Sequence, residues 1–335
     1  MTFLPGSNAL ILATGGGGDI ASAAVLKHIL KKFYGKIILG SIPWERLKHD
    51  PKPGPIKYEE MRDIRVCNGY VVVDGGSYAV REDRKIFFQA SKIARLLNED
   101  VIVVSPIYGF KSFVDGIRNA LIDYGLDTVI FVDVGGDIIA KGYEEGLWSP
   151  MADGYGLAAS YKLQQEDFNS IIAIVSPASD GELPWEYIKE RLSNYYRIGA
   201  VLRVLGFGSI DLKFYRDIIE YIDTEASRMA YEAMVNGFGG RWIRSGSRYV
   251  ELDIHSTLVF LLDPNHIYRD SLPSQLIYNS NSFEESNNLL LENGIPTEYE
   301  FEKIAYRLRK FYGYNKELYV NARRELMDII KSKRR

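Results

Sequence analysis

Six short apolar runs, at residues 10–13, 36–39, 70–73, 101–104, 128–132 and 170–175, constrain this chain more than any other feature of it. They are continuous rather than alternating, as strands are when both faces of a parallel sheet are covered. Between them the period changes. Ile20, Ala23, Ala24 and Leu30 recur at helical spacing, and so do Phe113, Ile117, Ala120 and Leu121. Such alternation predicts an α/β fold, a Rossmann-like three-layer sandwich with a mostly parallel sheet.

Beyond the sixth run the pattern predicts a helix over about 184–196 and one long helix from Asp211 to Asn236, stopped by Gly237. Strands are expected at 249–255 and 257–262. The tail is helical: Ser282 with Glu285 and Thr297 with Glu300 form capping boxes, and a last helix starts near Lys316. The expected organisation is an α/β domain over 1–266 and a helical appendage over 280–335 packed on it. The tail's tyrosines and phenylalanines suit either that packing or a homo-oligomer interface.

Composition narrows the function classes. Forty-one Lys+Arg against 44 Asp+Glu, a net charge of −3, leave no basic excess for a nucleic-acid surface. A single cysteine, Cys67, excludes an intrachain disulfide and a thiolate metal site, which fits a reducing, cytoplasmic setting. No run approaches a membrane span, and Met1 to Pro5 carries no basic and apolar leader pattern. The expected partner is a small molecule.

In an open parallel sheet the ligand lies outside the carboxyl ends of the strands. Five of the loops leaving the apolar runs are alike: Gly15, Gly16, Gly17, Gly18 and Asp19; Asp74 with Ser77; Ser105; Asp133, Gly135, Gly136 and Asp137; and Ser176 with Asp180 and Glu182. Glycines at a strand-to-helix turn let backbone N–H groups approach a phosphate. No Lys follows Gly18, so the P-loop motif is absent, and Leu39-Gly40-Ser41 lacks the acid of a dinucleotide fingerprint. A phosphate beside Asp19 would place two anions together, a repulsion of about 4 kcal/mol at 4 Å with an effective dielectric near 20. A cation relieves it, and Asp19, Asp133 and Asp137 form an oxygen-only set suited to Mg²⁺. Asp19 bonded to ribose hydroxyls or to a cationic substrate is the metal-free alternative. Asp180, Glu182 and Asp133 are the candidate acid–base groups. Asp253 and His255 share a strand face and are read as an oriented base or as a structural histidine.

The loop at Asp133 resembles, locally, the phosphate loop of actin-like sugar kinases, and the one at Asp74 its second copy. In combination, Gly15 to Asp19, Ser41-x-x-Trp44-Glu45-Arg46, Asp133 to Asp137, Gly146 to Asp153 and Asp180 to Leu183 resemble the motifs of a mainly archaeal family of unknown function. The resemblance spans about the first 200 residues and implies no activity, with departure expected in the tail. The function expected is an enzyme for a nucleotide or phosphorylated metabolite, by Mg²⁺-dependent phosphoryl transfer or hydrolysis. A non-catalytic sensor, or a metal-free transferase or lyase for a carboxylate substrate, is the alternative.

Overall fold

Adjacent residues of a strand point to opposite faces, so a strand buried on both must be apolar throughout. In the computed structural model, which describes residues 7–244 and 246–333, this is how the runs are used. Leu10 and Leu12 enter one core while Ala9, Ile11 and Ala13 enter the other, all fully buried. Residues 1–5, read above for a leader pattern, lie outside the described part.

The first half of the chain contains β1 (Asn8–Ala13), α1 (Ile20–Leu30), β2 (Lys36–Ser41), β3 (Met61–Val66), β4 (Val71–Arg81) and β5 (Arg84–Ile86). It continues with α2 (Gln89–Leu97), β6 (Val101–Val103), α3 (Phe110–Tyr124), β7 (Thr128–Val134), α4 (Pro150–Gln164) and β8 (Asn169–Val175). The second half contains α5 (Trp185–Arg197), β9 (Val201–Gly206), α6 (Leu212–Tyr221), α7 (Ala226–Asn236), β10 (Gly239–Ile243), β11 (Arg248–Leu252) and β12 (Leu258–Leu262). Five helices close it: α8 (Pro264–Asp270), α9 (Leu272–Tyr278), α10 (Phe283–Glu292), α11 (Glu298–Tyr312) and α12 (Lys316–Lys333).

The main sheet runs β3-β4-β6-β2-β1-β7-β8-β12-β9, with β5 on β4, and its central strands β6, β2, β1, β7 and β8 are parallel. α1, α2, α6 and α7 contribute to the core on one face; α3, α4, α5 and α8 to α10 contribute to the other. The expected sandwich is therefore present. From β1 the chain winds through β2 to β6, then returns to β7 on the opposite side of β1. The carboxyl ends of β1 and β7 flank this switch point, where open α/β sheets bind ligands.

Three local expectations differ. β4 runs antiparallel to β6, with Val71 opposite Val103 and Val73 opposite Val101. It continues past Asp74 and Ser77, so those residues leave at the edge opposite the switch point. Their reversal comes from the hairpin with β3, whose exposed edge position tolerates Arg62, Asp63 and Arg65 and so leaves no apolar run to read. The helix expected from Asp211 to Asn236 breaks at residues 222–225 into α6 and α7. His255 lies in a 3-10 turn, stacked on Trp185 at 4.3 Å between ring centroids, while Asp253 caps that turn through Ile254 N–H.

The tail packs on its own chain. Ile304, Ala305, Leu318, Ala322, Leu326 and Ile330 form a cluster with Leu47 and Leu291, which Phe301 and Tyr312 join. Among the described residues no helix is long and apolar enough to cross a membrane.

Candidate functional site

β1 and β7 are neighbours, with Ala13 level with Val132, so the loops leaving them meet. Asp19 Oδ2 accepts from Val134 N–H at 3.1 Å, and Asp133 Oδ2 accepts from Ile138 N–H at 3.2 Å. The first turn of α4 brings Asp153 to the same place. Carboxylate oxygens of Asp133, Asp137 and Asp153 all lie within 4.8 Å of one another, and so do those of Asp137, Asp180 and Glu182. All five residues are buried. Asp133 Oδ1 and Asp153 Oδ1 have no hydrogen-bond partner, although their side chains are almost sealed from solvent.

The glycines of these loops make room for the carboxylates. A Cβ on Gly15 would stand 2.3 Å from Asp19 Oδ2 and 3.2 Å from Asp153 Oδ1, and one on Gly17 would stand 2.3 Å from Glu45 Oε1. Gly135, at φ +121°, carries Asp180 against its α-carbon, where a Cβ would come within 2.4 Å of the carboxyl carbon. Gly136, at φ +107°, faces Ile188 instead.

Glu182 is held from several sides. It accepts from Trp148 N–H at 2.7 Å, Ser149 N–H at 3.0 Å, the Ser149 hydroxyl and the Arg248 guanidinium at 2.8 Å. Glu298, at the start of α11, accepts from Met151 and Ala152 N–H at 3.0 and 2.6 Å. The free donors at the start of α4 thus meet two glutamates, one of them from the tail.

The electrostatics follow from burial. It drives Asp133, Asp137 and Asp153 well above the usual carboxylate range, and repulsion from neighbouring acids adds to it. Burial also raises Asp19 to about 7, against the Val134 hydrogen bond, and Asp180 to about 7, reinforced by the charge of Glu182. Glu182 is the exception. Burial acts on it in the same direction, but Arg248, Ser149 and Trp148 together hold it below its ordinary value.

Beside this cluster lies a cavity of about 200 Å³, which of the five clustered acids only Glu182 lines. Gly15, Gly16, Gly17, Gly18, Asp19 and Glu182 form part of its lining. The loop after β2 contributes residues 44–49, the break between α6 and α7 contributes residues 223–225, and the β10–β11 hairpin contributes Arg244, Ser247 and, at the start of β11, Arg248. Glu298, Phe301, Glu302, Tyr319 and Arg323 bring the tail into its wall.

The sequence-predicted residues therefore divide. Asp19, Asp133, Asp137, Asp180 and Glu182 gather at the switch point together with the four glycines and Gly135. Asp153 stands with Asp133 and Asp137 where Asp19 was expected as the third ligand. Ser105 spends its hydroxyl on Ile56 C=O and Ser176 is buried in the chain after β8; neither lines the cavity, nor do Asp133, Gly135, Gly136, Asp137 and Asp180, which lie beside it. Asp74 and Ser77 do not reach it: Asp74 Oδ1 accepts from Gly76 and Ser77 N–H, and the Ser77 hydroxyl donates to Asp63 C=O. Sequence reasoning missed Asp153, Arg248, Glu298 and Arg323. Only Asp153 carried a signal, an acid in the first turn after Ser149-Pro150, which the helix dipole explains by itself.

The site is that of an α/β protein with a buried carboxylate cluster at its topological switch point and a cavity beside it. The chain belongs to the family described as Protein of unknown function (DUF1152), whose model matches residues 10–306. The match extends through α10 and into α11, farther than the first 200 residues and into the tail where departure was expected. No curated protein and no solved structure was found to match it.

Proposed function

We propose that the chain is an enzyme that binds a divalent cation on Asp133, Asp137 and Asp153 and acts on a phosphorylated small molecule, by phosphoryl transfer or hydrolysis. The observation that carries this reading is that Asp133, Asp137 and Asp153 bring carboxylate oxygens within 4.8 Å of one another, and that two of these buried residues each keep an oxygen, Asp133 Oδ1 and Asp153 Oδ1, without a hydrogen-bond partner. Buried acids left without partners are costly, and an oxygen-only set suits Mg²⁺. Once bound, the ion would neutralise charge on a phosphate and its leaving group. Asp180, at about 7, is poised to take or release a proton near neutrality. Glu182 is a positioning group, ionised and occupied by Arg248, Ser149 and Trp148. The cavity's small volume fits a small substrate.

The test is thermal denaturation of the full chain in EDTA and in Mg²⁺ or Mn²⁺, with nucleotides and sugar phosphates added in turn, and ³¹P NMR of any mixture that shifts. A ligand at a hundred times its dissociation constant adds about 2.7 kcal/mol. D137N changes the residue common to both acidic groups. It should abolish the metal-dependent shift while raising the melting temperature in EDTA, because it relieves repulsion. Equal metal response in wild type and D137N would remove the cation from this site.

A sensor of the same ligand is the second reading, favoured by the five tail residues in the cavity wall. It predicts the thermal shift without turnover in the ³¹P spectra.

A further inference from the structure

Six basic side chains line the cavity, and five have a carboxylate close by. Arg46 and Arg244 stand 3.5 and 3.9 Å from Glu225, Lys48 and His49 each 3.1 Å from Asp223, and Arg248 2.8 Å from Glu182. Arg323 has no carboxylate partner among the described residues. Its guanidinium lies over the Trp148 ring, 4.6 Å from the centroid, on the tail side of the cavity.

The surroundings of Arg323 disfavour a bare charge. Burial lowers its pKa to about 10, and the neighbouring Arg248 pushes in the same direction, with only Glu182 opposing. Glu182, the one carboxylate that acts on Arg323, is already paired with Arg248, so the Arg323 guanidinium has no ion pair of its own. The sixth wall residue is thus a cation held by packing rather than by a counter-ion, and its planar fork matches the oxygens of a phosphate.

We propose that Arg323, carried to the cavity by α12, is the binding residue for the phosphate of the ligand, with Arg248 beside it and Trp148 fixing the plane of its guanidinium. This deepens the reading of the cavity as a phosphorylated-ligand site, on which it rests. It also assigns the tail a recognition role: β1, β7, β8 and α4 supply the acids, and α12 supplies the anion contact. The ligand class is a phosphomonoester or phosphoanhydride small enough for the cavity.

Calorimetric titration of the full chain with inorganic phosphate, in EDTA, tests this without the cation. Wild type should bind, and R323M, which keeps the stem on Trp148 but removes the charge, should bind about 10- to 100-fold more weakly, the range for losing a charge-assisted pair. R323Q reads the same quantity with a polar end, and R323K should retain part of the affinity. Phosphate affinity unchanged in R323M and R323Q, or no phosphate binding by wild type, overturns the proposal. The Mg²⁺-dependent thermal shift is measured on the same proteins. If it is absent while phosphate binding still depends on Arg323, the cation reading fails and this assignment stands; if it is intact while the variants bind phosphate normally, the reverse holds.

Discussion

At the scale of single residues, this site rests on glycines that admit carboxylates. Gly135 has both a left-handed backbone and no room for a side chain, since a Cβ would meet Asp180 at 2.4 Å. Gly135→Ala should therefore cost about 1–3 kcal/mol in chemical denaturation, from backbone strain and overpacking together. It should also lower any turnover by displacing Asp180, the proposed proton-transfer group. A variant as stable as wild type would show that the loop relaxes freely. The acids leaving β1, β7 and β8 were legible in the sequence because each lies on or within a few residues of the end of an apolar run. Asp153 was not, since an acid in a helix's first turn needs no ligand to explain it. Arg248 and Arg323 were not either, because local pattern carries no trace of which distant element shares a cavity.

At the scale of elements, the central parallel strands could be read because burial on both faces makes them apolar throughout. β3 and β9 could not: as edge strands with one exposed face they show Arg62, Asp63 and Arg203 among their residues. Missing β3 led to the wrong direction for β4 and so placed Asp74 and Ser77 at the wrong edge. The break between α6 and α7 was hidden for another reason. Its tertiary setting, with Thr224 Oγ1 3.0 Å from where a Gly18 Cβ would stand, overrides a continuous helical period. α11 is tied to the loop after β2 through one oxygen: Glu302 Oε2 accepts from Trp44 Nε1 at 3.0 Å and from Gly54 N–H at 2.8 Å. Glu302→Ala should cost about 1–3 kcal/mol because it strands two buried donors. Glu302→Gln, which keeps an acceptor oxygen, should lie close to wild type by the same denaturation assay, and equal losses in both variants would refute the hydrogen-bond account.

At the scale of the whole molecule, the buried acids set how stability responds to pH. Asp19, Glu45, Asp180 and Glu298 are raised to about 7 and Glu302 to about 8, all chiefly by burial, from unfolded values near 4. Between those limits the folded chain holds more protons than the unfolded one, so stability falls as pH rises. His49 and His255, whose pKa values burial lowers, act oppositely near pH 6, but the raised carboxyls outnumber them. The melting temperature in EDTA should fall from pH 5 to pH 8, and saturating Mg²⁺ should shrink that fall; a rise in EDTA would contradict the burial of these groups as ionisable acids. The tail's place in the wall has a further consequence, for the order of events during synthesis. Trp44 waits for Glu302 and Met151 for Glu298, so contacts at the site join positions 258 and 147 residues apart. Chains fold from the amino end as they emerge. The sheet and its acidic cluster can therefore assemble while the cavity still lacks a wall, and a nascent chain has no complete cavity until α12 has left the ribosome.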